Sequence, residues 1–362
     1  MKKIFIAATK QNDGKTTVSL GLVCNFQQRF KKVGFIKPIG QRYLEEEGLK
    51  IDEDSLLIED VCGIKCGLKD MSPIAVEKGF TERYITRPDK KNIVKQIKNS
   101  FSRVSRHKDL VVIEGTGHAG VGSVFDHSNA TVARLLGSKV IIISSGGIGR
   151  PIDEIVLNKA LFEKEGVKVL GVIINKVLPN KYEKINSLVR KGLERKGIKV
   201  LGVIPYNPML SRPTIEQILE ETDFKLLCGK EFVENSVSQF IVGAMEPQDA
   251  VKYIVNDSLM ITPGDREDMI MTCLGCFREA DDTRLKISGI ILSGGFTPDQ
   301  PIINFLQKAQ VPVLLAKQDT YTVATTIHDL TVKIRPCDKE KINAVVQLIR
   351  GRVNFDTILK GM

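Results

Sequence analysis

The chain has 362 residues, 42% of them hydrophobic and 27% charged, a length and composition that predict two globular domains. No run of about 18 apolar residues occurs, so no membrane partner is predicted, and seven scattered cysteines do not suggest a disulfide framework, so we expect a cytoplasmic protein. The net charge of +10 suggests an anionic partner, but stretches such as residues 90–108 have the pattern of a solvated helix face, so no nucleic-acid partner is expected.

Short apolar, β-branched runs alternate with helical patterns through the first 205 residues. Because both faces of a parallel sheet are buried, its strands read as continuous apolar runs. The predicted strands are residues 3–8, 33–37, 110–114, 140–144, 169–175 and 200–205. This repetition of strand, helix and strand predicts an α/β fold with a doubly wound, mostly parallel sheet.

A second, smaller α/β domain is predicted after a proline-containing connection at residues 207–232. Its predicted strands are residues 258–263, 288–294 and 311–316, with a weaker pattern at 331–334. Helical patterns separate these runs, and the sequence ends in a predicted helix. We therefore expect domains at residues 1–225 and 226–362.

The stretch ATKQNDGKTT at residues 8–17 joins the first predicted strand to the first predicted helix. In this context, successive backbone N–H groups and a helix N-terminus can surround phosphate oxygens. Lys15 would then reach the phosphates, and the Thr16 hydroxyl would hold Mg²⁺. The strict motif has a glycine where Thr9 stands, so the alternative is a chance Gly-Lys-Thr on a surface turn. Under the first interpretation, the residues that bind the nucleotide phosphates are Asn12, Asp13, Gly14, Lys15, Thr16 and Thr17.

Polar residues end other predicted strands, at the edge where open α/β sheets bind ligands. Glu114 is placed to organise Mg²⁺, and the glycines that follow it suggest a close approach of the backbone to a ligand; the alternative is a solvated strand end. Lys37 is a candidate anion contact or, alternatively, a surface lysine that extends into solvent. Asn175 could pair with an adenine edge.

The motifs GKTT, FIKPIGQ, DSLLI, VIEGTG, IINK and IP follow one another in an order and spacing that resemble dethiobiotin synthetase. Residues 1–225 are also similar to the synthetase-like N-terminal region of long phosphotransacetylases. The resemblance implies binding of ATP and Mg²⁺. The implied phosphate contacts are Lys15 and Lys37, the implied neighbours of the base are Asn175 and Pro205, and the implied Mg²⁺ ligands are Thr16, Asp54 and Glu114. For Asp54, a solvated acidic turn at residues 52–54 is the alternative.

Three stretches of the second domain, ITPGDREDMI, SGIILSGG and VPVLLAKQDTYTVATTI, resemble the DRTGG domain. In long phosphotransacetylases this domain lies between the synthetase-like region and an acetyl-transfer domain, for which the sequence up to Met362 has no counterpart. The resemblance implies a regulatory domain. Residues 264–266 and 294–295, with threonines at 320, 322 and 325, could form a pocket for a small anion or a nucleotide effector; ordinary turn chemistry explains the same residues.

Lys10 stands where dethiobiotin synthetases usually have an acidic residue. Its position matches an extra lysine in dimeric ATPases of the septum-site and partition type, where that lysine reaches the ATP of the partner subunit. The likeness implies a homodimer. A phosphate contact within the same chain and a solvent-facing side chain are the alternatives for Lys10.

Three functions fit these features. The favoured one is a sensor or regulatory ATPase, with nucleotide in the first domain and a small effector in the second. A ligase similar to dethiobiotin synthetase would instead activate a carbamate as a mixed anhydride, with Lys15, Lys37 and Mg²⁺ stabilising charge. Lys10, where it contacts ATP, would add a catalytic positive charge near the γ-phosphate. The third is a non-catalytic partner of a separately encoded acyltransferase.

Two cysteine pairs have the spacing of a zinc site, namely Cys62 with Cys66 and Cys273 with Cys276. The second pair lies in an amphipathic helical run, where cysteines are usually small core residues. We therefore favour packing over metal binding for these residues.

Overall fold

A computed structural model describes residues 1–46, 48–275 and 286–362. The strands are β1 (Lys2–Ala8), β2 (Val33–Ile36), β3 (Ile39–Gly40), β4 (Tyr43–Glu46), β5 (Leu49–Asp52), β6 (Ile74–Ala75), β7 (Leu110–Glu114), β8 (Lys139–Ser145), β9 (Val169–Val177), β10 (Val200–Pro205), β11 (Lys225–Cys228), β12 (Gln239–Val242), β13 (Ser258–Pro263), β14 (Ile287–Ser293) and β15 (Val313–Leu315). The α-helices are α1 (Lys15–Gln27), α2 (Glu53–Cys62), α3 (Leu68–Met71), α4 (Phe80–Thr86), α5 (Lys90–Ser105), α6 (Asn129–Leu135), α7 (Arg150–Lys164), α8 (Tyr182–Glu194), α9 (Ile215–Glu221), α10 (Pro247–Ala250), α11 (Glu267–Gly275), α12 (Gln300–Lys308), α13 (Thr320–His328), α14 (Lys339–Arg352) and α15 (Phe355–Gly361).

The described residues form two compact units. Unit 1 comprises Met1–Asn207 and Ile334–Met362, and unit 2 comprises Pro208–Lys333. None of the helices in the described ranges is long and apolar enough to cross a membrane.

The main sheet of unit 1 has the strand order β10-β9-β8-β1-β7-β2, with every pair parallel. The apolar runs of its central strands are buried, as their continuity predicts. The predicted α/β fold with a doubly wound, mostly parallel sheet is therefore confirmed. Because the strands are parallel, the carboxyl ends of β1, β2, β7 and β9 meet at one edge, where ligands bind in open α/β sheets.

The C-terminal segment lies in unit 1, whereas the sequence was interpreted as placing it in the second domain. Ile349 of α14 is 1% exposed and packs directly against Gly21 of α1. A Cβ on Gly21 would overlap the Ile349 side chain, so the contact depends on this glycine. Asn25 of α1 donates to the Val346 carbonyl at 3.0 Å, and Val353 forms an isolated bridge with Gly202 of β10. An amphipathic pattern shows that a helix packs on something, but it does not identify the surface.

We expect Ile349→Ala to lower the free energy of unfolding by about 2–5 kcal/mol, because it leaves a cavity between α14 and α1. Urea denaturation measures the loss, and hydrogen exchange assigns it to the strands of unit 1. The control is Leu188→Ala, at a side chain that is 40% exposed on α8, with an expected change within about 0.5 kcal/mol. Undiminished protection of the unit 1 strands in Ile349→Ala would contradict this packing.

Unit 2 contains a sheet of order β11-β15-β14-β13-β12, in which only the β11–β15 pair is antiparallel among the described strands. The strands predicted near residues 258–263, 288–294 and 311–316 are confirmed. Residues 331–334, all of which are described, form no strand, and the Lys333 carbonyl instead accepts a hydrogen bond from the Gln217 side chain. β11 and β12 were missed because they are short and largely half-buried, so neither reads as a continuous apolar run.

Candidate functional site

The loop between β1 and α1 contains two residues with a left-handed backbone, Asn12 at φ 66° and Gly14 at φ 87°. The carboxyl end of β9 holds this loop in place. Asn175 Nδ2 donates to the Asp13 carbonyl at 2.9 Å, and Lys176 Nζ donates to the Asn12 carbonyl at 2.8 Å. A Cβ on Gly14 would overlap the Asn175 amide, so glycine is required here by space as well as by its backbone conformation.

The Asp13 side chain braces the loop from inside. Its Oδ2 accepts from Thr9 Oγ1 at 2.6 Å and from the Lys10 backbone N–H at 3.0 Å, and Thr9 Oγ1 lies 3.1 Å from Ser144 Oγ of β8. Burial raises the pKa of Asp13, against these hydrogen bonds. Thr9 stands in place of the first glycine of the strict motif and takes part in this hydrogen-bond network inside the loop. The motif alone does not predict the network.

The N-terminus of α1 is open to an anion. Within the described residues no side chain caps this helix, and its first turn contains no acidic residue. The first backbone N–H groups and the positive end of the helix dipole can therefore interact with phosphate oxygens. Lys15, Thr16 and Thr17 form this first turn, and burial lowers the pKa of Lys15 despite the opposing charge of Glu114.

Thr16 lies beside the buried end of β7. Its hydroxyl donates to Glu114 Oε1 at 3.3 Å, while Glu114 Oε2 is buried and has no hydrogen-bond partner in the described part of the chain. Burial and, next, the nearby charge of Asp54 raise the pKa of Glu114 to about 8. The predicted alternative of a solvated strand end is therefore wrong for Glu114.

Lys37 lies among three carboxylates just beyond the end of β2. Its Nζ pairs with Asp52 Oδ1 at 2.9 Å, forms a closer pair with Asp54 Oδ2, and lies 3.9 Å from Glu114 Oε1. Burial opposes the charged lysine, but Asp54, Asp52 and Glu114 together raise its pKa well above the usual range. Burial likewise opposes ionisation of Asp54, yet the charge of Lys37 outweighs it and lowers the pKa of that carboxyl.

The structure does not agree with the solvent-exposed alternatives, which were a surface lysine for Lys37 and a solvated acidic turn for residues 52–54. The side chain of Lys37 is 9% exposed and that of Asp52 1%, so neither a snorkelling lysine nor a solvated acidic turn describes this cluster. Asp52 was missed as a site residue. It is also the N-cap of α2, where its Oδ1 accepts from the Asp54 N–H at 3.0 Å, and an acidic residue just before a helix is the signal that could have drawn attention to it.

The glycine-rich stretch after Glu114 is shaped by internal packing. Asn129 accepts from the Thr116 N–H at 3.0 Å and donates to the carbonyls of Thr116 and His118. A Cβ on Gly115 would overlap Asn129 and the Phe5 ring, and Gly117 has a left-handed backbone with φ 65°. These contacts within the protein account for both glycines, so they are no longer evidence of close approach to a ligand.

The other predicted nucleotide contacts, Asn175, Pro205 and Lys10, lie outside the cluster around Lys37. Asn175, only 6% exposed, uses its amide on the phosphate loop, as described above. Pro205 ends β10, where it pairs in register with Val177 of β9. Lys10 is half-buried, two residues after the end of β1.

In unit 2, the predicted effector residues 264–266 and 294–295 follow the carboxyl ends of β13 and β14, and the predicted threonines lie on α13. Ser293 Oγ is 2.7 Å from Thr320 Oγ1 at the start of α13, and Thr262 Oγ1 is buried without a partner in the described ranges. Gly294 donates its N–H to the Gln318 carbonyl at 2.7 Å. A Cβ on Gly264 would overlap the Phe296 carbonyl, so turn packing explains that glycine.

The cysteines do not gather into a metal site in the described part of the chain. No group of three or more His, Cys, Asp or Glu side chains is arranged there so that all of them could hold one metal ion. Cys62 contacts Cys24, Cys66 lies near the Val104 carbonyl, and Cys273 is buried in the core of unit 2. Cys276 lies outside the described residues.

A parallel sheet whose first strand leads through a Gly-Lys-Thr loop into an uncapped helix defines unit 1 as a P-loop NTPase domain, a nucleotide-binding class. Residues 2–214 match the sequence model of the AAA domain family, and the chain belongs to that family. Residues 217–330 match the DRTGG domain, so the predicted resemblance to the corresponding regions of long phosphotransacetylases is confirmed.

Curated relatives align along nearly the whole chain. A phosphate acetyltransferase of Nitratidesulfovibrio vulgaris is 25% identical over 97% of this chain and 50% of its own length. A phosphate acetyltransferase of Pseudomonas aeruginosa is 25% identical over 98% of this chain and 51% of its own length. The chain thus spans about half the length of the curated relatives it matches.

Solved structures give weaker similarities. A putative plasmid partition protein of Borrelia burgdorferi bound to AMPPNP has a TM-score of 0.38 and 16% identity, over 57% of this chain and 87% of its own. The CBS and DRTGG domains of a Clostridium perfringens pyrophosphatase, complexed with diadenosine tetraphosphate, have a TM-score of 0.29 and 16% identity, over 45% of this chain and 83% of its own. Scores this low support no inference about ligands.

The raised pKa of Glu114 gives a pH dependence in the absence of nucleotide and metal ions. Between the ordinary value of 4.5 and about 8, the folded protein holds a proton that the unfolded chain releases. The free energy of unfolding should therefore fall as pH rises through this window, by up to about 1.4 kcal/mol per pH unit from this group. Glu114→Gln should flatten the slope measured by urea denaturation at pH 6, 7 and 8, whereas Glu183→Gln on the exposed face of α8 should not; equal slopes would refute the assignment.

Proposed function

We propose that this chain binds ATP with Mg²⁺ at the phosphate loop of unit 1 and acts as a regulatory ATPase that responds to an effector in unit 2. The observation that carries the proposal is the buried cluster of Lys37, Asp52, Asp54 and Glu114 beside Thr16. Burying a lysine together with three carboxyl groups costs free energy that packing alone does not require, and clusters of this kind concentrate at functional sites.

The oxygen atoms in this cluster suit Mg²⁺. The hydroxyl of Thr16 and the carboxylates of Asp54 and Glu114 are hard oxygen donors, and Glu114 Oε2 is buried with no partner in the described residues. These three residues would hold the ion, directly or through water. Bound there, Mg²⁺ would neutralise negative charge on the phosphates.

Lys37 provides the cluster with an internal counter-ion. In the ligand-free protein its ammonium group offsets the carboxylates that would otherwise repel one another. A divalent cation can take over that role, which leaves Lys37 free to donate to a phosphate oxygen. Lys15, at the first position of α1, supplies a second positive charge, and a bound phosphate would raise its pKa, against the effect of burial.

The loop network positions the remaining groups. Asn175 and Lys176 hold the carbonyls of Asp13 and Asn12, so the backbone N–H groups from Gly14 onward can face the phosphates. Asn175 and Pro205, at the ends of neighbouring strands, border the base in this proposal. Lys10 contacts the ATP of a second copy in a homodimer.

The proposed role of unit 2 rests on the match to the DRTGG domain and on polar groups at the ends of its parallel strands. A small anion or nucleotide effector would bind near Ser293 and Thr320, beyond the carboxyl end of β14.

The proposal is tested by following phosphate release from ATP in the presence of Mg²⁺, with sedimentation in parallel. We expect slow release that requires Mg²⁺ and is lost in Lys15→Ala, together with ATP-dependent dimerisation that is lost in Lys10→Ala. Binding without hydrolysis would remove the ATPase role and leave a nucleotide-gated module. Dimerisation that is independent of ATP and of Lys10 would remove the contact across the dimer alone.

A second candidate is regulation of acetyl transfer by a separate acyltransferase, supported by the end-to-end alignment with half of the phosphate acetyltransferases. Its test adds this chain, with and without ATP, to purified phosphate acetyltransferase from the same source. A nucleotide-dependent change in rate would support the candidate, and an unchanged rate at saturating chain would exclude it.

A further inference from the structure

Two cysteines meet where α1 packs against α2. Cys24 lies in the second half of α1, Cys62 is the last residue of α2, and their Sγ atoms are 3.0 Å apart. A disulfide has a sulfur separation of about 2.05 Å, so a side-chain movement of roughly 1 Å would join them. Gln27 Nε2 donates to the Cys62 carbonyl at 2.7 Å, which fixes the end of α2 against α1. Both cysteines are half-buried, so a small reagent can reach them.

The two thiols are chemically unequal. The hydrogen bond shared with Cys62 lowers the pKa of Cys24, against the opposing effect of burial. The same contact, followed by burial, raises the pKa of Cys62. Because the thiolate is the nucleophile in thiol–disulfide exchange, Cys24 is the attacking thiol and Cys62 the one that resolves the intermediate.

We propose that Cys24 and Cys62 are a thiol oxidation site that forms a reversible disulfide by exchange with a small-molecule disulfide. The Cys24 thiolate attacks one sulfur of the oxidant, whose S–S bond breaks and releases one thiolate. The Cys62 thiol then loses its proton and its sulfur attacks Cys24 Sγ, which releases the second thiolate. In total, two protein thiols are oxidised, one disulfide is reduced to two thiols, and the two protein protons pass to the released thiolates.

The disulfide would tie together the two helices that start at the phosphate site. α1 begins with Lys15 and Thr16, and α2 carries Asp54 in its first turn, two residues after its N-cap Asp52. Oxidation therefore fixes the helix that positions the partners of Lys37 relative to the helix of the phosphate loop. The thiol chemistry itself does not depend on the proposed binding of nucleotide.

The test incubates the full chain with oxidised glutathione and maps the peptides by mass spectrometry. We expect one cross-linked species that joins Cys24 to Cys62, with the loss of two hydrogen atoms. We also expect a rise in Tm of roughly 5–10 °C that dithiothreitol reverses, because the cross-link restricts the unfolded chain. Failure to detect this species, while exposed Cys337 is modified, would overturn the proposal.

Single substitutions separate the roles of the two thiols. Cys62→Ser should accumulate a glutathione adduct on Cys24 and lose the rise in Tm, since no thiol remains to displace the adduct. Cys24→Ser should also lose the rise in Tm, and Cys62 should react much more slowly. The control Cys66→Ser, at another half-buried cysteine, should still form the cross-link and show the full shift. An unmodified Cys24 in Cys62→Ser would contradict the assigned order of attack.

Discussion

Lys15→Ala is expected to weaken binding of Mg²⁺–ATP by about 100-fold or more. The variant would lose the contacts that Lys15, the first residue of α1, makes with the phosphates in this proposal. Each charge-assisted hydrogen bond contributes about 1.5–3 kcal/mol to the free energy of binding. Because burial already lowers the pKa of Lys15, removing its ammonium group should leave the fold intact. Equilibrium binding of a fluorescent ATP analogue, displaced by unlabelled ATP, measures the effect.

The matched control for this variant is Lys191→Ala, which removes the same charge from an exposed position on α8. It should bind Mg²⁺–ATP as the wild type does, within about a factor of two, because exposed charges at a distance are screened by salt. If Lys15→Ala, folded as shown by its Tm, retains wild-type affinity, then the Gly-Lys-Thr loop does not bind nucleotide phosphates.

Lys37→Met is expected to lower the free energy of unfolding by about 3–5 kcal/mol. It leaves Asp52, Asp54 and Glu114 buried together without the cation that now offsets their charges, and breaking a buried ion pair from one side costs this much. The loss should be larger at pH 8 than at pH 6, since protonation of the carboxyls relieves their repulsion. Urea denaturation at the two pH values measures both effects.

The double variant Lys37→Met with Asp54→Asn is the control for this interpretation. Removing the carboxylate that forms the closest pair with Lys37 should recover part of the lost stability, with a coupling energy of about 1–3 kcal/mol between the two sites. Strictly additive losses would mean that Lys37 stabilises unit 1 through packing of its alkyl chain and not through the cluster. Added Mg²⁺ should also stabilise Lys37→Met more than the wild type, because the ion replaces the missing cation.

The sheet of unit 1 could be predicted because a strand buried on both faces needs an uninterrupted apolar run, and β7 and β8 have one. β11 and β12 could not be predicted, because short, half-buried strands show neither a continuous apolar run nor a clear alternation. The C-terminal helix was assigned to the neighbouring domain because the chain is continuous with it. Its packing partner is Gly21, more than 300 residues earlier, and only the tertiary fold brings the two together.

The residues of the candidate site also fall into two groups, those that a local pattern predicts and those that only the tertiary fold brings together. Lys15, Thr16 and Glu114 were predictable from a local motif and from the end of a strand, where residue type and position together suggest a role. The pairing of Lys37 with Asp52 was not, because it joins a strand end to a helix cap across an intervening hairpin. The glycines after Glu114 suggested a ligand, but Gly115 is needed for packing against Asn129, a cause that sequence alone does not distinguish from binding.

Calorimetric titration of the full chain with ATP, in Mg²⁺ and again in EDTA, tests the central claim most directly. We expect one saturable site per chain in Mg²⁺. When the metal ion is removed, Lys37 stays paired with the three carboxylates, so the affinity for ATP should fall at least tenfold. No saturable binding by folded protein in Mg²⁺, or equal affinity with and without the ion, would contradict the proposal that Thr16, Asp54, Glu114 and Lys37 form a site for Mg²⁺ and nucleotide.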